Sequence, residues 1–166
     1  LGTFLVVAIL DILVAWALYY FFEPVNRSLS LLAAWLRVVY AAMLGATLGG
    51  LTQVLLLVSG GPDLKALAPD NLQAQVMLAL GAFHQAWQLG LVVFGGSLLL
   101  LGYLALKSGF VPKLFGVLLI VAAAGYLIDG IGTILLPGYS ATIVMYTFIG
   151  EPLFMFWLLW KGIRGF

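Results

Sequence analysis

The sequence predicts an all-α, polytopic transmembrane helix bundle with five spans. Three observations carry the expectation. Apolar residue types make up 64% of the chain and charged types only 8%, whereas soluble domains sit near 45–50% and about 25%. The apolar residues fall into long uninterrupted segments punctuated by Gly and Pro, each long enough for a helical span of about 20 residues. The few basic residues gather at alternate segment ends. A chain of 166 residues has too little interior to hide so much apolar surface from water, so a soluble globular enzyme is excluded, as is a disordered chain.

The first segment, about residues 2–22, stops at Glu23-Pro24, because proline biases the residue before it away from helix. The second, about 29–59, ends at Gly60-Gly61-Pro62, a strong stop. The third, about 70–107, opens at Pro69-Asp70-Asn71 and closes at Lys107-Ser108-Gly109; proline fits a first helical position and Asp a cap. The fourth, about 112–136, begins at Val111-Pro112 and stops at Pro137-Gly138. The fifth, about 140–161, ends near Lys161-Gly162. The second and third exceed one bilayer thickness and must tilt or protrude. Membrane β-strands are excluded, since the segments lack period-two alternation. Residues 1–166 read as a single helical domain without linker or repeat.

Orientation follows from Lys and Arg. Arg27, Arg37, Lys107, Lys113, Lys161 and Arg164 fall at one end, against Lys65 alone at the other. That end is expected to be cytoplasmic, in the inner membrane of a bacterium, with residue 1 outside and the C-terminus inside. The net charge of +1 implies no nucleic-acid partner. Cys is absent and His occurs once, which leaves no thiolate site, no His-rich metal cluster and no cofactor motif. The expected partners are the lipid bilayer and, beyond it, other membrane subunits or further copies of the chain.

Several pieces together resemble a known family: Pro24-Val25-Asn26-Arg27 before a long helix, Lys107-Ser108-Gly109-Phe110-Val111-Pro112, Gly125-Tyr126-Leu127-Ile128-Asp129, and Gly150-Glu151-Pro152-Leu153. In this order they are similar to the small bacterial multi-span membrane proteins grouped as a domain of unknown function, DUF4386. The resemblance implies fold and topology, and one further span ahead of residue 1, but no reaction.

Ionisable groups within spans are costly and mark functional candidates. Asp11 and Glu151 are expected roughly 15 Å from the basic end, with no basic residue at their depth. Asp129, Gln88 and Thr47 are expected roughly 25–28 Å along, and His84 and Gln53 roughly 34–36 Å. Arg37 reads as a boundary residue that snorkels. Pro152 should kink the fifth span and free a carbonyl near Phe148, which with Glu151 could hold a cation. His84 or Gln88 should meet Asp129, either as a proton or cation site or as an interhelical tie. Ala41, Gly45 and Gly49 form a small-residue stripe suited to close helix packing. Two function classes result. The leading one is a non-enzymatic transporter-like module, or an accessory subunit of a membrane complex, with a polar intramembrane site. The other is a membrane enzyme acting on a lipid or small apolar substrate through His84 and the carboxylates. A metal centre built from His84, Asp129 and Glu151 is weakly supported, with one His and no paired motif.

Overall fold

The computed structural model describes residues 2–59, 69–136, 138–140 and 142–164. The Gly60-Gly61-Pro62 stop, Lys65 and Pro137 lie outside the described residues. Among the described residues six helices follow in order: α1 Gly2–Phe22, α2 Arg27–Ser59, α3 Pro69–Ser108, α4 Lys113–Leu135, α5 Val144–Thr147 and α6 Gly150–Arg164. The protein is an all-helical bundle, and among the described residues four helices, α1 to α4, are long and apolar enough to cross a membrane.

Sequence-local chemistry sets the turns. After α1 the chain reverses within Glu23–Asn26, and the Asn26 side chain caps α2 by accepting the Leu29 N–H at 3.0 Å, as Asn does at helix starts. After α3, Gly109 takes the left-handed conformation (φ 72°), which glycine adopts without steric cost. The Ser108 hydroxyl accepts the Val111 N–H at 3.1 Å and steadies the same turn.

Helices α1, α2, α3 and α4 pack consecutively as antiparallel neighbours. The core lies along α3, where Leu98, Leu101, Leu104 and Ala105 are buried against Phe22, Ala33, Leu119 and Ala122. The α3–α4 seam is tight. A methyl group placed on Gly102 would stand 2.9 Å from the Gly116 carbonyl oxygen, and one on Gly116 would stand 3.0 Å from that of Gly102. Backbone thus lies on backbone, the geometry small residues permit between membrane helices. The outward faces are apolar: Leu5, Ile9, Leu13 and Trp16 of α1 are all more than half exposed. So large an exposed apolar surface requires lipid as its solvent.

Two sequence expectations are corrected. The α2 stripe does not form a packing seam. Ala41 is buried, but Gly45 and Gly49 face outward with open space where a Cβ would stand. Four-residue spacing specifies a common face but not which way it points, and α3 covers the side of α2 that carries Leu44 and Leu48. The fifth segment is not one helix. It is split into α5 and α6 at Phe148–Ile149. Proline at 152 supplies no N–H and its ring crowds the carbonyl four residues back, which is that of Phe148. This carbonyl instead accepts the Glu151 N–H at 3.0 Å, a three-residue turn that closes the break. It is not left free for a cation.

Candidate functional site

Helix α6 runs back along α4. Gly150 sits against the Leu118 carbonyl so closely that a Cβ would stand 2.8 Å from it, and Phe154 and Trp157 stack near Phe115. Helix α1 packs on α2, on the other flank of the bundle. Among the described residues α1 and α6 form no major packing seam with each other, and a cavity of about 570 Å³ is lined by both. Its walls are Leu10, Asp11 and Val14 of α1 and Glu151, Phe154 and Met155 of α6, over a floor of Arg37, Tyr40, Phe94, Leu98 and Tyr126.

The charged groups in this cavity belong to three different helices. The Arg37 guanidinium donates to Asp11 through Nε at 3.0 Å and Nη2 at 2.6 Å. Both side chains are nearly buried, at 12% and 11% exposure. Arg37 also lies over the Phe94 ring, 4.9 Å from its centroid, a cation–π contact. This corrects the reading of Arg37 as a snorkelling boundary residue, and of Asp11 as an acid without a basic partner. Because α2 begins at Arg27, Arg37 is ten residues in, or about 15 Å along the axis. That is the level of Asp11, eleven residues from the end of α1.

Both Arg37 donors converge on Asp11 Oδ1. Asp11 Oδ2 is therefore buried without a hydrogen-bond partner, and so is Glu151 Oε1. Glu151 lies within electrostatic range of Arg37 and Asp11, and Tyr126 is close enough to interact with its carboxylate. The ring of Phe94 bridges the two sides, tilted against Tyr40 at 4.9 Å and edge-on to Tyr126 at 5.3 Å. Glycines of α3 make room for these tyrosines: a Cβ at Gly90 would stand 3.3 Å from the Tyr40 ring, and one at Gly95 3.0 Å from Tyr126 Cβ. An unpaired buried acceptor costs roughly 1–3 kcal/mol. Among the described residues the third such atom is Ser97 Oγ on α3, so two of the three face this one apolar cavity.

The remaining candidates lie elsewhere. Asp129, at the far end of α4, is only 2% exposed. Its Oδ1 accepts the Tyr139 hydroxyl at 2.8 Å and its Oδ2 the Val144 N–H at 2.7 Å. The bond to Asp129 also holds the Tyr139 phenol above its ordinary pKa. Asp129 therefore ties down the segment between α4 and α5. This corrects the expected bond from His84 or Gln88. Both Asp129 oxygens are taken by chain fifteen residues away or less, a local closure that depth along the helices could not distinguish from an interhelical one. Gln88 is buried on α3, where its backbone carbonyl faces Gly130. His84 and Gln53 are exposed. His84 does not line the cavity, so the structure does not bring it to Asp11 or Glu151. Thr47 donates to its own helix at Leu44. Among the described residues no three His, Asp or Glu side chains come together as metal ligands.

Sequence reasoning missed Tyr40, Phe94 and Tyr126 as part of the site. The signal for Tyr126 was present in the Gly-Tyr-Leu-Ile-Asp piece, and that for Tyr40 in its placement three residues after Arg37 on one helix face.

Comparison with known proteins bears on the whole of this architecture. A protein of Archaeoglobus fulgidus (strain ATCC 49558 / DSM 4304 / JCM 9628 / NBRC 100126 / VC-16), named only as an uncharacterized protein, is 38% identical over 161 residues, covering 97% of this chain and 82% of its own. No solved structure matches the chain. The family model described as "Domain of unknown function (DUF4386)" matches residues 2–162, and the chain belongs to this family.

Proposed function

We propose that the protein is a small, non-enzymatic, transporter-like module whose working part is the Asp11–Arg37–Glu151 cavity. The observation that carries the reading is the pair of buried, unpartnered acceptors, Asp11 Oδ2 and Glu151 Oε1, on one cavity. A structural core would spend these oxygens on the bundle itself, as Asp129 does. Polar groups facing a cavity inside a membrane protein mark ligand or ion paths. The cavity lies between α1 and α6, and the entry proposed is from the lipid side.

The orientation proposed is the cytoplasmic membrane with the basic end inside. Arg37 no longer counts toward that argument, since its charge is spent on Asp11. The residues that remain are Arg27, Lys107, Lys113, Lys161 and Arg164, still against Lys65 alone. The chain has no native Cys, so cysteines at Ser108 and Lys65 should label from opposite sides; labelling of both from outside would reverse the reading.

The functional test uses Glu151→Cys in lipid nanodiscs with a small membrane-permeant thiol reagent. Reaction at this position, with none at Ala122→Cys in the packed core, is expected. An inert cysteine at 151 would make the cavity closed packing space and the protein a structural bundle. A second reading, an accessory subunit or homo-oligomer, is supported by the outward Gly45 and Gly49, which leave α2 open to another helix.

A further inference from the structure

The two spare oxygens specify what the cavity takes, if the reading of it as a ligand site holds. We infer that its ligand is a free primary amine with an apolar, aromatic-sized body, whose ammonium binds between Asp11 and Glu151.

The charges come first. Arg37 balances one carboxylate through two bonds to a single oxygen. With Glu151 ionised, the cluster holds two negative charges against one positive. Buried unpaired charge is strongly disfavoured, and a cation restores balance. Hydrogen bonding then narrows the cation. Both unpartnered atoms are acceptors, so the ligand must bring N–H donors; a quaternary ammonium brings none. A carboxylate or phosphate would add to the surplus of acceptors and of negative charge. The walls define the rest. Tyr40, Trp87, Phe94 and Tyr126 line the cavity, and aromatic faces attract ammonium groups. The stacking of Arg37 on Phe94 shows this wall already carrying one cation. Leu10, Val14, Leu98 and Met155 supply apolar surface for the ligand body. A volume of about 570 Å³ falls within the range for small-molecule sites.

The source is a free amine rather than the headgroup of an aminophospholipid. Asp11 and Arg37 lie ten or eleven residues inside their helices, about 15 Å from the basic end, below the level at which headgroups sit. An amine that is apolar in its neutral form reaches this depth through the hydrocarbon, entering between α1 and α6, and accepts the proton that the Glu151 carboxyl gives up, leaving ammonium against carboxylate.

The test compares three probes with one phenylbutyl body: 4-phenylbutylamine, 4-phenylbutanol and 4-phenylbutyltrimethylammonium. Each is titrated calorimetrically into the protein in phosphatidylcholine nanodiscs, with protein-free discs subtracting partition into lipid. Charge-assisted hydrogen bonds imply that the primary amine binds saturably and roughly tenfold or more tighter than either analogue. Glu151→Gln should weaken the amine by a similar factor and leave the alcohol unchanged. Glu151→Asp, which keeps the carboxylate, should preserve the preference for amine, so that a folding defect in Gln alone cannot decide the matter. Equal binding of amine and alcohol, or amine binding indifferent to Glu151→Gln, overturns the assignment. So does stabilisation by phosphatidylethanolamine in the disc with none by the free amine. If no probe binds while Glu151→Cys reacts with thiol reagent, the amine is wrong and the ligand-site reading stands; if that cysteine is also inert, both fall.

Discussion

The α3–α4 seam and the α1–α6 cleft are built from the same apolar alphabet and end as opposites. At the seam, glycines bring backbone to backbone, and a single methyl group at Gly102 or Gly116 would meet a carbonyl oxygen. At the cleft, α1 and α6 line a cavity instead of a seam, and three charged side chains face it. Lipid tails are as apolar as Leu, so apolar character alone does not drive membrane helices together. Shape and polar bonds decide it. The seam closes because small residues let it, and the cleft stays open because Asp11, Arg37 and Glu151 are too polar to be pressed into a dry contact.

The difference can be broken first at the ion pair. Arg37→Met leaves Asp11 buried without its cation and should destabilise the protein by about 3–5 kcal/mol. Adding Asp11→Leu to that variant should recover most of the loss, since a buried pair replaced by apolar residues is often neutral. Reversible unfolding in mixed micelles measures both, and a double variant no better than the single would remove the pair from the energetics of the cleft. Gly116→Val attacks the seam instead. It should cost about 1–3 kcal/mol through overpacking, because the obstructing atom at Gly102 is backbone and cannot turn aside; an unchanged midpoint would mean the seam relaxes freely. Asp129→Ala should cost about 1–3 kcal/mol by orphaning the Val144 N–H, with amide exchange at Val144 as the direct readout. Glu151→Gln keeps the side chain's shape and one acceptor and should move stability by under about 1 kcal/mol, the worth of one hydrogen bond, while changing ligand response as above. Gly45→Ala, on the open face of α2, is expected to be silent within about 0.5 kcal/mol, unless another copy packs there. In that case the change would appear as altered cross-linking between copies rather than as unfolding.

Much of this fold was legible because hydropathy and punctuation act locally. Glu23-Pro24, Lys107-Ser108-Gly109 and Pro112 mark ends that α1, α3 and α4 respect. Pro152 marked a disturbance near Glu151, and the chain goes further than a kink there, to a full break. Which residues share the cavity was less legible. Depth counted along each helix placed Asp11 near Glu151 but could not supply azimuth. Arg37 was misjudged because its chemical type was read before its position: ten residues into a helix is too far for the charge to reach a headgroup layer when a carboxylate is nearer. His84 and Asp129 failed as a pair for a related reason. A carboxylate near a helix end meets the backbone of its own following turn sooner than a side chain on another helix.

The break at Phe148–Ile149 has a consequence for the surrounding bilayer. With 15 residues, α6 reaches only about 22 Å, against a hydrocarbon core of about 30 Å. Helices α2 and α3, at 33 and 40 residues, overreach the same core. Lipid at the flank of α6 must therefore thin while lipid at the opposite flank does not, and the annulus around the protein is lopsided. The shorter side is the side of the cleft, lined by Glu151 of α6. Acyl-chain length then becomes a control on the protein: short-chain bilayers relieve the strain at α6, and long-chain ones tighten it, at a cost of fractions of a kcal/mol per Å of mismatch.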